Sequence, residues 1–313
     1  MDSPRLGPAD VDAAIARCGS MLRRTPVLDV APGTAGIASA VTLKLEFMQY
    51  AGSFKARGSL NSALGQQLPD GGLIAASGGN HGVAVARTGQ LLGVPTEIFV
   101  PEIAAPVKVA RIRAQGATVH VGGALYDDAQ AACDARAGQT GALNIHPYDA
   151  HLTVAGQATM GAELIDQVPD LDTVVVAIGG GGLASGLALT MPDRVKIVGV
   201  ETEQCNCFAA AQAAGHPVRI GPAGVSADSL GAKAIGSLPW TLLASRCEPV
   251  LVSDRHVIET RQALWDEIQI AAEHGGATAL AALTSGAYRP AKDEKVAVVI
   301  CGANTDPSDL VGP

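Results

Sequence analysis

Lys55 is the residue around which the chemistry of this chain can be assembled. It follows Gly52-Ser53-Phe54, where a strand-like run over 41–47 gives way to a helical pattern. A lysine at the start of a helix meets the positive end of the dipole, which disfavours its protonated form. Partial burial acts in the same direction, bringing the amine towards the neutral nucleophile that Schiff-base chemistry requires. The bland alternative is an exposed helix lysine. Gly179-Gly180-Gly181-Gly182 lies between a Val/Ile run and a second helical pattern. Such a run lets main-chain amides close on a phosphate from several directions, and the residues that follow suit one phosphate better than a dinucleotide. Ser77-Gly78-Gly79-Asn80-His81-Gly82 has the same strand-to-helix placement. Its amides suit a carboxylate or a phosphate, and the Asn80 side chain can hydrogen-bond a hydroxyl or phenolate oxygen; a tight structural turn is the alternative. Cys301-Gly302-Ala303-Asn304 ends the last apolar run, placing a small thiol where it could meet a heteroaromatic ring nitrogen. Buried structural cysteine is the commoner role of that residue type.

Each of these stretches follows a predicted strand. Apolar runs predict strands at 41–47, 73–76, 96–100, 118–121, 142–145, 173–178, 196–200 and 295–300. Periodicity predicts helices at 11–22, 54–64, 83–92, 106–115, 126–137, 156–167, 183–190, 207–214 and 256–272, with 23–28 an extended segment around Pro26. Short buried strands alternating with helices imply βαβ units and open parallel sheets. Ligands of such sheets bind outside the carboxyl ends of the strands, where these four stretches fall.

Composition narrows the function. A length of 313 residues permits one large domain or two of ordinary size, and 48% hydrophobic residues supply a sizeable core. Aromatic residues make up only 3%, too few for a base-stacking surface, and the net charge of −8 argues against nucleic acid and anionic membrane. No apolar run reaches spanning length, and the polar opening over 1–8 lacks the apolar core of a signal peptide. The cysteines, at 18, 133, 205, 207, 247 and 301, form no framework of paired spacings, which suggests reduced thiols and a cytoplasmic enzyme. Cys205-Asn206-Cys207 has no second Cys/His pair nearby in sequence, so a zinc site is not expected.

Together these motifs resemble the fold-type II pyridoxal-phosphate enzymes, in the serine/threonine dehydratase (threonine ammonia-lyase) and serine racemase branch. Ser53-Phe54-Lys55-Ala56-Arg57-Gly58 is similar to the family's S-F-K-x-R-G, and Ser77 to His81 to its S-[AS]-G-N-H. Val100-Pro101-Glu102, Ala105-Pro106-Val107-Lys108, Tyr126-Asp127, His146-Pro147-Tyr148-Asp149, Ala155-Gly156-Gln157 and the glycine run follow in family order, over almost the whole chain. The resemblance implies a tryptophan synthase β-like α/β fold of two open parallel-sheet domains with the cofactor in the cleft between them. The large domain would take residues 1–70 and 143–313, and the small inserted one 71–142. Lys55 would bind pyridoxal 5′-phosphate covalently and then act as the base at Cα. Phe54 would pack on the ring, Asn80 bond its 3′-oxygen, and Gly179, Gly180, Gly181 and Gly182 hold the phosphate. Cys301 would face the ring nitrogen, a neutral partner that weakens the electron sink and favours β-elimination. Ser77, Gly78, Asn80 and His81 would surround the substrate carboxylate. The implied reaction removes the Cα proton and the β-hydroxyl of L-threonine or L-serine, and hydrolysis of the product yields a 2-oxoacid and ammonia.

Departures from the pattern keep other readings open. Racemases of the branch carry a second serine where this chain has Gly78, which favours dehydration. Ser229, in Ala227-Asp228-Ser229-Leu230, replaces a glycine and is expected to narrow or re-aim the substrate pocket. Serine racemisation, dehydration of another β-hydroxy amino acid such as 3-hydroxyaspartate, and a catalytically silent amino-acid-binding relative remain alternatives. Glu201 matches a family cation site, to which the Cys205 carbonyl could contribute. Cys207 stands where some relatives have Asp, so a monovalent cation is expected rather than a divalent one, with an ordinary surface glutamate as the alternative. The resemblance further implies a homodimer. The biosynthetic enzymes' regulatory domain has no counterpart after Asn304, so feedback by an end-product amino acid is not expected.

Overall fold

The computed structural model describes residues 6–104 and 106–311; the polar opening at 1–5 and Ala105, part of one family-like stretch, lie outside them. Ten strands occur among the described residues: β1 (Val27–Val30), β2 (Val41–Lys44), β3 (Leu73–Ala76), β4 (Thr96–Val100), β5 (Thr118–Val121), β6 (Leu143–Asn144), β7 (Thr173–Ala177), β8 (Lys196–Thr202), β9 (Cys247–Val252) and β10 (Val296–Val299). They form a six-stranded sheet, β1-β2-β10-β7-β8-β9, and a four-stranded sheet, β5-β4-β3-β6. All pairings are parallel except β1 with β2. The helices are α1 (Pro8–Cys18), α2 (Lys55–Leu64), α3 (Asn80–Leu92), α4 (Pro106–Ala114), α5 (Tyr126–Thr140), α6 (His151–Gln167), α7 (Gly182–Thr190), α8 (Cys207–Ala214), α9 (Ala227–Leu230), α10 (Ser237–Leu243), α11 (Asp254–Ile268) and α12 (His274–Thr284).

The period-2 geometry of strands explains how the smaller sheet is covered on both faces. Leu73 and Ala75 of β3 join Val83, Ile98 and Ile112 in one core, whereas Ile74 and Ala76 join Phe99, Ala129 and Cys133 in another. Helices α3 and α4 supply the first cover and α5 the second. In the larger sheet β7 and β10 are buried throughout, as strands covered on both faces must be.

Five elements escape the periodicity, the four-residue α9 among them. β1 lies within and beyond the segment read only as extended, and β9 at the other edge of the sheet has a mostly exposed burial pattern. Pro249 in β9 is tolerated because an edge strand has one unpaired side. Helices α10 and α12 carry little periodic signal; α12 is buried from Gly275 to Leu283 and so has no polar stripe. Helix α3 begins at Asn80, three residues before its predicted start, and α6 begins at His151, five before. The first shift matters for chemistry: it places the Asn80 and His81 amides in the first turn, where they lack intrahelical acceptors.

Candidate active site

Lys55 is the first residue of α2, and the turn before it is tied to the end of β10. The Phe54 amide donates to the Cys301 carbonyl at 3.1 Å, and Ser53 forms a β-bridge with Gly302. The Lys55 Nζ donates to the Pro147 carbonyl at 2.7 Å and lies 5.1 Å from the centre of the Phe54 ring. The side chain is partly accessible, and burial lowers its pKa from 10.5 to about 8, with Cys301 and Glu273 acting weakly in the opposite sense. This excludes the exposed-lysine alternative. Since the neutral amine is the nucleophile, capture of an aldehyde by the cofactor-free protein should accelerate with pH up to about 8 and then level off. Absorbance-monitored reconstitution checks this; acceleration continuing to pH 10 would show an unperturbed lysine.

The glycine run connects β7 to α7 at the carboxyl end of the larger sheet. Gly181 has φ +92°, in the left-handed region. A Cβ on Gly180 would sit 2.4 Å from the Tyr148 ring, and one on Gly179 would sit 3.1 Å from the Leu230 main chain. Side chains are thus excluded, and the first amides of α7 are left without intrahelical acceptors. Ser185, on the first turns of α7, has a buried hydroxyl with no hydrogen-bond partner. Tyr148 walls this loop while lying 6.0 Å from Lys55 Nζ, joining the cradle to the amine.

The Ser77–Gly82 loop closes the opposite side. The Ser77 hydroxyl accepts from the Gly79 amide at 3.2 Å, and the Asn80 Nδ2 donates to Glu273 Oε1 at 2.5 Å. Burial pushes the Glu273 carboxyl up to about 7. A Cβ on Gly78 would lie 3.0 Å from that of Ala104, so the loop packs closely where a racemase would carry serine. Cys301 is buried, its thiol is 3.5 Å from the Gly275 carbonyl, and burial drives its pKa upwards, so it is a neutral group.

Residues 20–302 match the family described as pyridoxal-phosphate dependent enzyme. The chain belongs to that family. It is 35% identical over 272 residues to the L-threonine ammonia-lyase of Thermotoga maritima, covering 85% of this chain and 67% of that protein. It is 34% identical to the phenylserine dehydratase of Ralstonia pickettii, covering 93% and 91% of the two chains. Among solved structures, maize serine racemase superposes with a TM-score of 0.92 at 29% identity, covering 98% of this chain and 96% of that one. The architecture is that of the fold-type II pyridoxal-phosphate enzymes.

The residues present fit pyridoxal phosphate. A cradle without side chains, an unpartnered buried hydroxyl at Ser185 and an amine whose protonation is disfavoured suit a phosphate and an aldehyde on one small ring. The fold adds detail at two residues singled out in the sequence. His81 is buried, its Nε2 is 2.7 Å from the Ile145 carbonyl, and burial with the nearby Lys55 charge lowers its pKa to about 3. Its neutral imidazole braces the loop, leaving its main-chain amide for an anion. Ser229 is half-buried, and its hydroxyl lies 2.4 Å from the position a Gly275 Cβ would occupy, so the glycine on α12 accommodates it.

Glu201 is no surface glutamate. Its oxygens accept from the Phe208 and Ala209 amides at 2.9 and 2.8 Å, which anchors the N-terminus of α8. Burial raises its pKa to about 7, and no basic side chain contributes to that shift. Cys205 bonds through Sγ to the Ala223 carbonyl at 3.2 Å. No group of three or more potential metal ligands occurs among the described residues. Sequence reasoning missed Glu273 and the tight Tyr148 wall. The only local sign of Glu273 is an acidic residue ahead of His274-Gly275-Gly276.

Proposed function

We propose that this chain eliminates the elements of water from L-threonine or L-serine, and that hydrolysis of the unsaturated product, which takes up one water, releases ammonia and the 2-oxoacid. The observation that carries the reading is the Lys55 amine, held between a phosphate cradle and a loop whose Gly78 offers no proton donor. Pyridoxal phosphate, when bound, supplies the electron sink that acidifies the substrate Cα proton. Lys55, held largely neutral above about pH 8, takes that proton; Ser77 and the first amides of α3 orient the carboxylate. Cys301, a neutral thiol, leaves the ring nitrogen without a charged partner, which favours prompt loss of the β-hydroxyl.

The deciding experiment offers holoprotein L-serine, L-threonine, their D-isomers, 3-hydroxyaspartate and phenylserine, and follows 2-oxoacid, ammonia and chirality together. Equal amounts of oxoacid and ammonia from an L-hydroxy amino acid support the reading. Inversion with little oxoacid would mean racemisation, and inertness towards every substrate would mean a binding protein. Gly78→Ser alone is expected to add no racemisation, because its Cβ would press on Ala104. Gly78→Ser with Ala104→Gly gives the hydroxyl room and should raise the D-product. Identical chirality from both variants would remove this account.

The wider proposal has four parts. Residues 71–142 act as a small domain that closes on substrate, supported by the Lys233–Asp127 ion pair at 2.8 Å and the Lys108–Asp228 pair, which both bridge the cleft. Scattering unchanged by an unreactive substrate analogue would oppose closure. Glu201 and the Cys205 carbonyl bind a monovalent cation, supported by a buried carboxylate with no basic side chain beside it. Activity and melting temperature insensitive to potassium would refute that. The chain forms a homodimer, as the family resemblance implies; light scattering reads its mass directly. A cytoplasmic location is supported by six free cysteines. Thiol titration of freshly isolated protein should find all six reduced.

No helix among the described residues is long and apolar enough to cross a membrane.

A further inference from the structure

Asn80 can present either an N–H or a carbonyl oxygen to the cleft, and the two have opposite chemistry. Which one it presents is decided by residues distant in sequence. Asn304, beyond the end of β10, lies between two partners that each admit only one kind of atom. Arg111 of α4 can only donate, and its Nη1 bonds Asn304 Oδ1 at 2.9 Å. The Ala51 carbonyl can only accept, and takes a hydrogen from Asn304 Nδ2 at 2.7 Å. The orientation of the Asn304 amide is therefore fixed. Its second Nδ2 hydrogen goes to Asn80 Oδ1 at 2.7 Å, which in turn fixes Asn80. The Asn80 Nδ2 then faces Glu273 Oε1 at 2.5 Å and retains one uncommitted N–H. A flipped Asn80 would set donor against donor at Asn304 and, while Glu273 is ionised, acceptor against acceptor there; the constraint at Asn304 holds whatever the protonation of Glu273. Both asparagines and Glu273 are at least partly buried, so water does not freely replace these bonds.

We propose that Asn304 is a positioning residue for the reaction: set by Arg111 and Ala51, it makes Asn80 present a donor, not an acceptor, to the phenolic oxygen of the cofactor. This rests on the family reading of Asn80 as the residue that addresses that oxygen. It adds that the donor is imposed from outside the Ser77–Gly82 loop. Arg111 lies in the segment that carries the smaller sheet and Asn304 follows the last strand of the larger one, so the device spans the cleft. Arg111 also donates to the Thr305 carbonyl at 2.8 Å, so the bridge engages two consecutive residues.

The test compares Asn304→Asp, Asn304→Ala and Arg111→Met with the parent protein. Its readouts are pyridoxal-phosphate affinity by fluorescence titration and the visible absorption maximum of the bound cofactor, with apoprotein melting as the control. Asn304→Asp keeps the shape but turns an acceptor towards Asn80, so it should weaken affinity about tenfold or more and move the maximum. Asn304→Ala, which leaves Asn80 free to choose, should fall between that variant and the parent. Affinity within twofold and an unmoved maximum in Asn304→Asp would overturn the proposal, as would a loss that tracks melting temperature alone across the three variants. If Asn304→Asp does not fold, Arg111→Met decides: a displaced maximum supports the relay and an unchanged one overturns it. A parent protein that binds the cofactor yet releases no oxoacid would refute the function proposed above while leaving this comparison intact.

Discussion

Lys55→Ala is expected to abolish oxoacid formation while raising the melting temperature of the cofactor-free protein. A positioned acid–base group alone accounts for about 10²–10⁴ in rate. On the proposed reading Lys55 would also carry the covalent attachment, so a loss of at least about 10³-fold is expected from initial rates of oxoacid and ammonia release. The stability gain has a separate origin. Burial lowers the folded-state pKa of Lys55 from 10.5 to about 8. Below pH 8 the amine is charged in both the folded and the unfolded chain, and the folded state bears the whole desolvation cost. By the worth of one pKa unit that cost is at most about 3 kcal/mol. Between about pH 8 and 10.5 the unfolded chain binds more protons, so the stability of the parent apoprotein rises with pH and the advantage of the alanine variant disappears. Urea unfolding of both apoproteins at pH 7 and pH 10.5 reads this. A variant less stable at pH 7 would show that the amine is not held at a cost, and retained turnover would remove Lys55 from the chemistry.

Arg57→Met is expected to destabilise the fold by about 3–5 kcal/mol, the cost of stripping a buried charge cluster of one partner. Arg57 is fully buried, two residues past Lys55 on α2. Its Nε bonds Glu46 Oε1 at 2.5 Å, and its Nη1 and Nη2 bond Glu163 at 2.7 and 2.9 Å. Nη1 also donates to the Thr159 hydroxyl at 3.1 Å. Burial opposes the charge on Arg57, yet Glu46 and Glu163 raise its pKa on balance, so the guanidinium remains protonated. Lys44, also fully buried, bonds Glu163 Oε2 at 3.0 Å and the Thr25 carbonyl at 2.8 Å. With Arg57 gone, two carboxylates share a single cation in a dry site. Arg57→Met/Glu46→Gln should therefore recover part of the loss, because it removes the carboxylate left uncompensated. Equilibrium urea unfolding gives both values. A loss below about 1 kcal/mol for the single variant, or a double variant weaker than the single, would show that the cluster does not anchor α2.

Lys55, the glycine run and the Ser77–Gly82 loop were legible in sequence because each is a local event, a strand, a turn and a helix start in contiguous residues. The strand–helix alternation was legible for the same reason, since a two-residue or 3.6-residue period needs only neighbours. Gly58 and Gly156, which occur in two of the family-like stretches, show where local reading ends. A Cβ on Gly156 would meet the Gly58 Cα at 2.7 Å, so α2 and α6 touch backbone to backbone at that point. Nothing near either glycine announces the other.

β9 and α12 were missed because the pattern that reveals an element is the contrast between its faces. β9 sits at a sheet edge, and α12 is buried on every side. The motif placed His81 in the substrate loop, but only the fold shows that its ring is buried against Ile145, 64 residues away. The surroundings of Asn80 came wholly from the tertiary structure: Glu273 is 193 residues away in sequence and Asn304 is 224. They meet because β10 inserts between β2 and β7, bringing the last strand beside one of the first. The amino-acid sequence by itself determined which groups could do chemistry and which backbone turn would carry each. Only the folded chain decided their protonation and orientation, because these depend on desolvation and on partners supplied by segments that sequence order keeps apart.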